Sequence, residues 1–239
     1  MRMRKKKNGE ARLDACAELV LDNITMPMSD PGAVMNMSGA PVFLEIGAGK
    51  GGFACGMAEK YPEAAYFAME RVSDCVVLGA EKAKEIFGES GGNLRFIIDT
   101  ADNLLKIFEK GSVDRIFLNF SDPWSKKGYA KRRLTHRRYL AVYFNLLKDG
   151  GKITFKTDND GLFDFSLDEL SAMGIKLDKM TRDLHASEWN EGNIMTEYER
   201  AFSSQGVLIN MLEVTKPRDF NPEISPEFYD REFYKKEEI

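Results

Sequence analysis

The sequence predicts an α/β fold: a doubly wound, mostly parallel seven-stranded sheet with helices on both faces and an antiparallel strand at one edge. Three observations predict it. From residue 41 onward, short apolar runs alternate with amphipathic ones, so the hydrophobic period switches between 2 and 3.6 residues at each step. The first apolar run, Val42-Phe43-Leu44-Glu45-Ile46, opens onto Gly47, Gly49, Gly51 and Gly52. A glycine turn between strand and helix is how sheets of this kind approach a ligand. Finally, 239 residues with 43% hydrophobic side chains are enough for one large core.

The elements follow in order. A helix over 12–21 comes after a basic stretch. The first sheet strand covers 42–46 and its helix 53–60. A strand at 65–69 leads to a helix at 72–87, and a strand at 94–98 to a short helix at 102–108. The strand 113–120 ends in a polar loop, followed by a helix at 137–147. Asp149-Gly150-Gly151 turns the chain into a strand at 152–156, and a helix covers 162–171. Strand–helix alternation of this kind implies parallel strands covered on both faces. The last strand, 207–214, is expected to run antiparallel at the sheet edge. Three regions result: a basic N-terminal segment with a helix (1–40), the sheet domain (41–216), and a flexible C-terminal tail (217–239) carrying Pro217, Pro222 and Pro226.

Net charge is −4, which at first disfavours a polyanionic partner. The distribution says otherwise. Residues 1–12 hold six basic side chains and one acidic, and residues 123–138 hold seven basic and none acidic. The remainder has 21 basic against 37 acidic. Two cationic patches on an acidic body suit local contact with a polyanion, although each alone also suits a solvated surface. No apolar run reaches the roughly 20 residues of a membrane span, and no apolar segment follows the basic start. Cys16, Cys55 and Cys75 are odd in number and widely spaced. They argue against a disulfide framework or a zinc cluster, so no metal is assigned, and they fit a reducing cytoplasm.

The glycine turn has two readings. Gly47, Gly49 and Gly52 satisfy the dinucleotide spacing, while Gly47, Gly49 and Gly51 satisfy that of S-adenosylmethionine enzymes. Glu70, at the end of the second sheet strand, suits ribose hydroxyls in either case. Glu45 separates them. A carboxylate just before the turn would repel a pyrophosphate and attract a sulfonium and its α-amino group. The fourth sheet strand then runs into Asn119-Phe120-Ser121-Asp122-Pro123-Trp124, which would project over the same crevice. A strand-end polar-Pro-aromatic segment resembles the loop that holds the acceptor in amino- and base-directed methyltransferases. Asp122 buried there without a partner would be costly, which favours a ligand-facing role.

Together these stretches resemble the bacterial tRNA (guanine-N7-)-methyltransferases, class I S-adenosylmethionine-dependent enzymes with a Rossmann-like fold. The resemblance covers nearly the whole chain. It rests on Arg2-Met3-Arg4-Lys5-Lys6-Lys7, the Glu45 to Gly52 turn, Ser121-Asp122-Pro123-Trp124-Ser125-Lys126-Lys127, Lys131-Arg132-Arg133-Leu134, Phe155-Lys156-Thr157-Asp158-Asn159 and Thr196-Glu197-Tyr198-Glu199. It implies methyl transfer from S-adenosylmethionine to N7 of a guanine in the tRNA variable loop, usually position 46; another RNA base or a small-molecule amine is the alternative acceptor. It implies cofactor contacts at Glu45, Gly47, Gly49, Glu70, Thr100 and Asp122, with Asp122 also catalytic. It assigns substrate to Lys126, Asp158, Thr196, Glu197, Tyr198 and Glu199, and RNA contact to Lys127, Lys131, Arg132 and Arg133. One slot departs: the family has Asp-Ala after the third sheet strand, where this chain has Thr100-Ala101 with Asp99 one place earlier. Either Thr100 or Asp99 then meets the adenine. Monomer and homodimer are both open.

The chemistry suits these residues. Guanine N7 carries a free lone pair, so no strong base is needed, and neither His136 nor His185 lies in a nucleophile-activating motif. His136 reads as part of the basic surface and His185 as a loop residue. Carboxylates at Asp122 and Asp158 would stabilise charge developing on the ring and read its Watson–Crick edge. Each has a structural counterpart reading. Asp158 could cap the following helix, Thr196 and Glu199 have capping-box spacing, and Trp124 is either a stacking platform, with Tyr129, or a core anchor.

Overall fold

Strand β2 (Val42–Ile46) is buried at all five positions, as expected of a parallel strand covered on both faces. The computed structural model describes residues 8–21 and 24–228. Its sheet has the order β1-β4-β3-β2-β5-β6-β8-β7, built from β1 (Val20–Leu21), β2, β3 (Ala65–Glu70), β4 (Leu94–Ile98), β5 (Val113–Asn119), β6 (Leu147–Thr157), β7 (Lys179–Thr181) and β8 (Asn210–Thr215). The helices are α1 (Gly9–Asp14), α2 (Gly52–Lys60), α3 (Ser73–Phe87), α4 (Leu104–Ile107), α5 (Arg137–Leu146), α6 (Asp160–Ala172) and α7 (Glu197–Ser203).

The chain steps outward from β2 through β3 to β4, then returns to the other side of β2 for β5 and β6. The strand order therefore reverses between β2 and β5, and open α/β sheets bind ligands at such a point. Alternation along β2 sorts the core. Val42, Leu44 and Ile46 pack with α4, α5 and α6, whereas Phe43 packs with α2 and α3. On the second face Phe117 meets the edges of Phe43 and Phe53 at 6.0 and 5.4 Å.

Among the described residues the sheet has eight strands, not seven. β1 and β7 have two and three residues, too few to show a period in sequence. The expected helix over 12–21 is shorter: α1 ends at Asp14, a 3₁₀ turn follows, and Val20-Leu21 pairs with Phe96-Ile97 of β4. The expected antiparallel edge strand, β8, pairs antiparallel with β6 but is not outermost, because β7 adds beyond it. β6 begins at Leu147 rather than 152, its Gly150-Gly151 stretch coinciding with a register shift against β5.

The tail expected to be loose from 217 is packed as far as Phe228. Phe220 meets the Phe144 ring at 5.3 Å, Asn145 donates to the Pro222 carbonyl at 2.8 Å, and Ile224 and Phe228 are buried. Residues 229–239 and the basic run from Arg2 to Lys7 lie outside the described residues. At the other end Arg12 holds Glu81 of α3 through two bonds of 2.7 and 2.6 Å.

Candidate active site

The glycine turn lies between the ends of β3 and β5. Gly47 and Gly49 have φ of +84° and +55°, where a side chain would strain the backbone, and a Cβ at either would meet nothing within 4 Å. The turn thus offers bare backbone to open space. Gly47 and Ala48 donate their amides to the Met69 carbonyl. Glu70 accepts from the Gly49 amide at 3.0 Å and the Val72 amide at 2.9 Å, lacing the turn to the β3 loop. Gly51 is structural, since a Cβ there would press on Gly79 and Phe96.

Beside the turn, Glu45 is buried and accepts from Asn119 Nδ2 at 2.9 Å. Glu45 Oε2, Asn119 Oδ1 and Ser121 Oγ are buried without a hydrogen-bond partner among the described residues. Two unpartnered acceptor oxygens and one unpartnered hydroxyl at or just past adjacent strand ends suit a ligand that brings donors or positive charge, because orphaned buried polar atoms are otherwise costly. Burial pushes the Glu45 carboxyl up to about 7, against the Asn119 bond and the Lys156 charge. A cation placed there would restore its ionised form.

The β5 loop is held under backbone strain. Phe120 and Trp124 have φ of +52° and +42°, conformations that cost a bulky residue on the order of 1–3 kcal/mol each. Arg133 secures the loop by donating to the carbonyls of Pro123 at 2.9 Å and Trp124 at 3.2 Å. Arg132 lies over both the Trp124 and Tyr129 rings, at 5.2 and 4.9 Å. Trp124 is therefore no core anchor. Lys126 just before the 3₁₀ turn that follows, and Lys127 and Lys131 on it, are exposed. Asp122 is exposed too, 3.7 Å from Arg71. The burial argument for Asp122 therefore does not hold.

A second cluster stands over the end of β6. The α7 cap is Thr196, whose hydroxyl accepts from the Glu199 amide at 2.9 Å. The Glu199 carboxylate is fully buried and accepts from Lys156 at 2.6 Å, His185 at 2.9 Å and Asn193 at 2.8 Å. Burial would raise Glu199, but the Lys156 charge and these bonds outweigh it and hold the carboxyl below its ordinary value. Lys156 also donates to Asn193 Oδ1 and the Ile194 carbonyl, pinning the 193–199 segment to the sheet. Tyr198 donates to Asp158 at 3.0 Å and packs on Phe120 at 5.0 Å, joining α7 to the β5 loop. The cap of α6 is Asn159, not Asp158. Near β4, Asp99 Oδ1 is engaged by the Thr100 amide and Asn103.

Sequence reasoning missed Asn119, Lys156, His185 and Asn193 as members of this centre. Lys156 and Asn119 stood within motifs that were noticed, but their partners lie 43 and 74 residues away. His136 caps α5, accepting from the Arg138 amide at 3.2 Å.

A family model described as "Putative methyltransferase" matches residues 39–212. The chain is 46% identical over 175 residues to a tRNA (guanine-N(7)-)-methyltransferase of Exiguobacterium sibiricum, covering 73% of this chain and 80% of that protein. It is 45% identical over 174 residues to one from Halalkalibacterium halodurans, covering 73% and 77%. The chain belongs to this family. Among solved structures, an antibiotic-related methyltransferase superposes with a TM-score of 0.56 at 17% identity, covering 82% of this chain and 98% of that one. The 16S rRNA methyltransferase KamB gives 0.55 at 15% identity, covering 74% and 88%. These likenesses establish the α/β methyltransferase fold, with its mostly parallel sheet.

Proposed function

We infer that this chain is an S-adenosylmethionine-dependent tRNA (guanine-N7-)-methyltransferase, acting on the variable loop, usually at position 46. Membership of the family supports the activity. The observation that carries the chemistry is the buried, half-satisfied Glu45 carboxylate beside an open glycine turn. These residues fit the cofactor. Glu45 and Asn119 would hold its cationic amino-acid end, Gly47 and Gly49 would admit it to the backbone, and Glu70 would take the ribose. Thr100 or Asp99 would meet the adenine, with Asp99 Oδ1 already engaged by the Thr100 amide and Asn103.

When bound, S-adenosylmethionine supplies an electrophilic methyl group on a positively charged sulfur. No residue must first remove a proton, since guanine N7 is already nucleophilic. The protein's task is alignment, for which intramolecular models allow about 7–11 kcal/mol. Asp122, at the crevice, would stabilise positive charge developing on the ring. Asp158 and Tyr198 join the α7 turn to the β5 loop and would border the base, as Lys126 would from the loop side. Thr196 and Glu199 hold that turn in place. Lys127, Lys131 and Arg132 would meet phosphates, and Arg133 fixes the loop that presents them. No helix among the described residues is long and apolar enough to cross a membrane, and the reading places the enzyme in the cytoplasm.

The test is incubation of unmodified tRNA with methyl-labelled S-adenosylmethionine, followed by nucleoside analysis. The label is expected in 7-methylguanosine. Label in another nucleoside, or none in RNA, overturns the reading.

A further inference from the structure

The resemblance assigns Glu197 to the substrate, yet its carboxylate lies against the start of α2, beside the glycine turn. An alanine methyl added at Gly52, the first residue of α2, would overlap the Glu197 carboxyl group, and its three nearest atoms would all belong to that group. Gly52 has no positive φ, so nothing in its own backbone requires glycine. What a side chain would displace is the Glu197 carboxylate. The same carboxylate is paired with Lys82 of α3, and Lys82 also donates to the Lys50 carbonyl at 3.4 Å. Lys50 lies between Gly49 and Gly51, within the turn. Glu197 therefore rests on the start of α2, where a negative charge is favoured by the helix dipole, and reaches the turn through Lys82. Its neighbour Tyr198 serves the other side, against Phe120 and Asp158.

We propose that Glu197 is a positioning residue for the glycine turn, fixing the methyl-donor site from above, and not a contact to the RNA. This rests on the functional reading given above. Glu197 contributes through a half-exposed ion pair, so its removal weakens cofactor binding by a factor of roughly three to five.

The experiment compares wild type, Glu197→Gln, Gly52→Ala and the double variant. Calorimetric titration with S-adenosylhomocysteine in the absence of RNA gives cofactor affinity, and initial rates give KM for tRNA. Both single variants are expected to weaken cofactor-product binding by roughly three- to fivefold, with KM for tRNA unchanged. The double variant is expected to match Glu197→Gln alone, because Gly52→Ala acts by displacing the same carboxylate. Alanine is a better helix former than glycine, so Gly52→Ala is expected to melt no lower than wild type. A raised KM for tRNA in Glu197→Gln, or a Gly52→Ala variant with unaltered cofactor affinity, overturns the proposal. A wild-type protein that does not methylate tRNA overturns the functional reading instead.

Discussion

Glu45 and Asn119 share one hydrogen bond across the β2–β5 seam and leave one oxygen each unpartnered beside the glycine turn. A chain selected for stability alone would pair or replace these atoms, because a buried acceptor without a donor is costly. They lie where the strand order reverses, between β2 and β5, and under the proposed function a cationic ligand would complete them.

The first prediction concerns stability in the absence of ligand. In the folded chain Glu45 keeps its proton up to about pH 7, whereas its ordinary value is 4.5. Between those values the folded state binds more protons, so the Glu45 contribution to stability falls as pH rises through this window. The total is on the order of 3 kcal/mol. Glu45→Gln is therefore expected to raise Tm relative to wild type at pH 8 and to make little difference at pH 4.5. Equal Tm shifts at both pH values contradict this.

The second prediction concerns the pin under α7. Lys156 and Glu199 are both buried, 2.6 Å apart. Removing one partner of such a pair leaves an uncompensated charge and costs about 3–5 kcal/mol. Lys156→Met and Glu199→Leu are each expected to show a loss of this size in urea unfolding. The double variant is expected to fall short of the summed losses by about 1–3 kcal/mol. Strict additivity would mean that the two groups do not depend on each other.

Much of the fold was legible because long elements carry a period. The strands from β2 to β5 and helices α2, α3, α5 and α6 follow from alternation and spacing in the sequence. β1 and β7 were not legible, because two or three residues cannot display a pattern and exist only by pairing with β4 and β8. The glycine turn, Glu45 and Glu70 were readable, since a strand, its turn and the next strand end are close in sequence. The Lys156, His185 and Asn193 network was not, because it forms by contacts 14 to 43 residues apart within or across a loop. For Asp122 the expected burial was wrong: it is exposed, and what the sequence conveyed is only its position just after the β5 strand end.

The third prediction concerns the basic turn. Lys127 and Lys131 are exposed and lie on a 3₁₀ turn with no acidic residue. The double variant Lys127→Ala/Lys131→Ala is expected to bind tRNA more weakly. The slope of log K against log salt is expected to become shallower by about 2, near one per lost phosphate contact. Cofactor affinity is expected to stay the same. An unchanged slope, measured by filter binding across a salt series, would remove this turn from the RNA interface.

The central claim is that the buried Glu45 carboxyl, raised to about 7 in the free chain, ionises on receiving a positively charged methyl donor. Calorimetric titration with S-adenosylmethionine at pH 7, in two buffers of different ionisation enthalpy, tests it most directly. One molecule is expected to bind per chain with net release of protons, because the cation favours ionised Glu45, and Glu45→Gln is expected to abolish that release. Binding of a nicotinamide dinucleotide with no heat from S-adenosylmethionine, or donor binding with no proton release that depends on Glu45, would contradict the account.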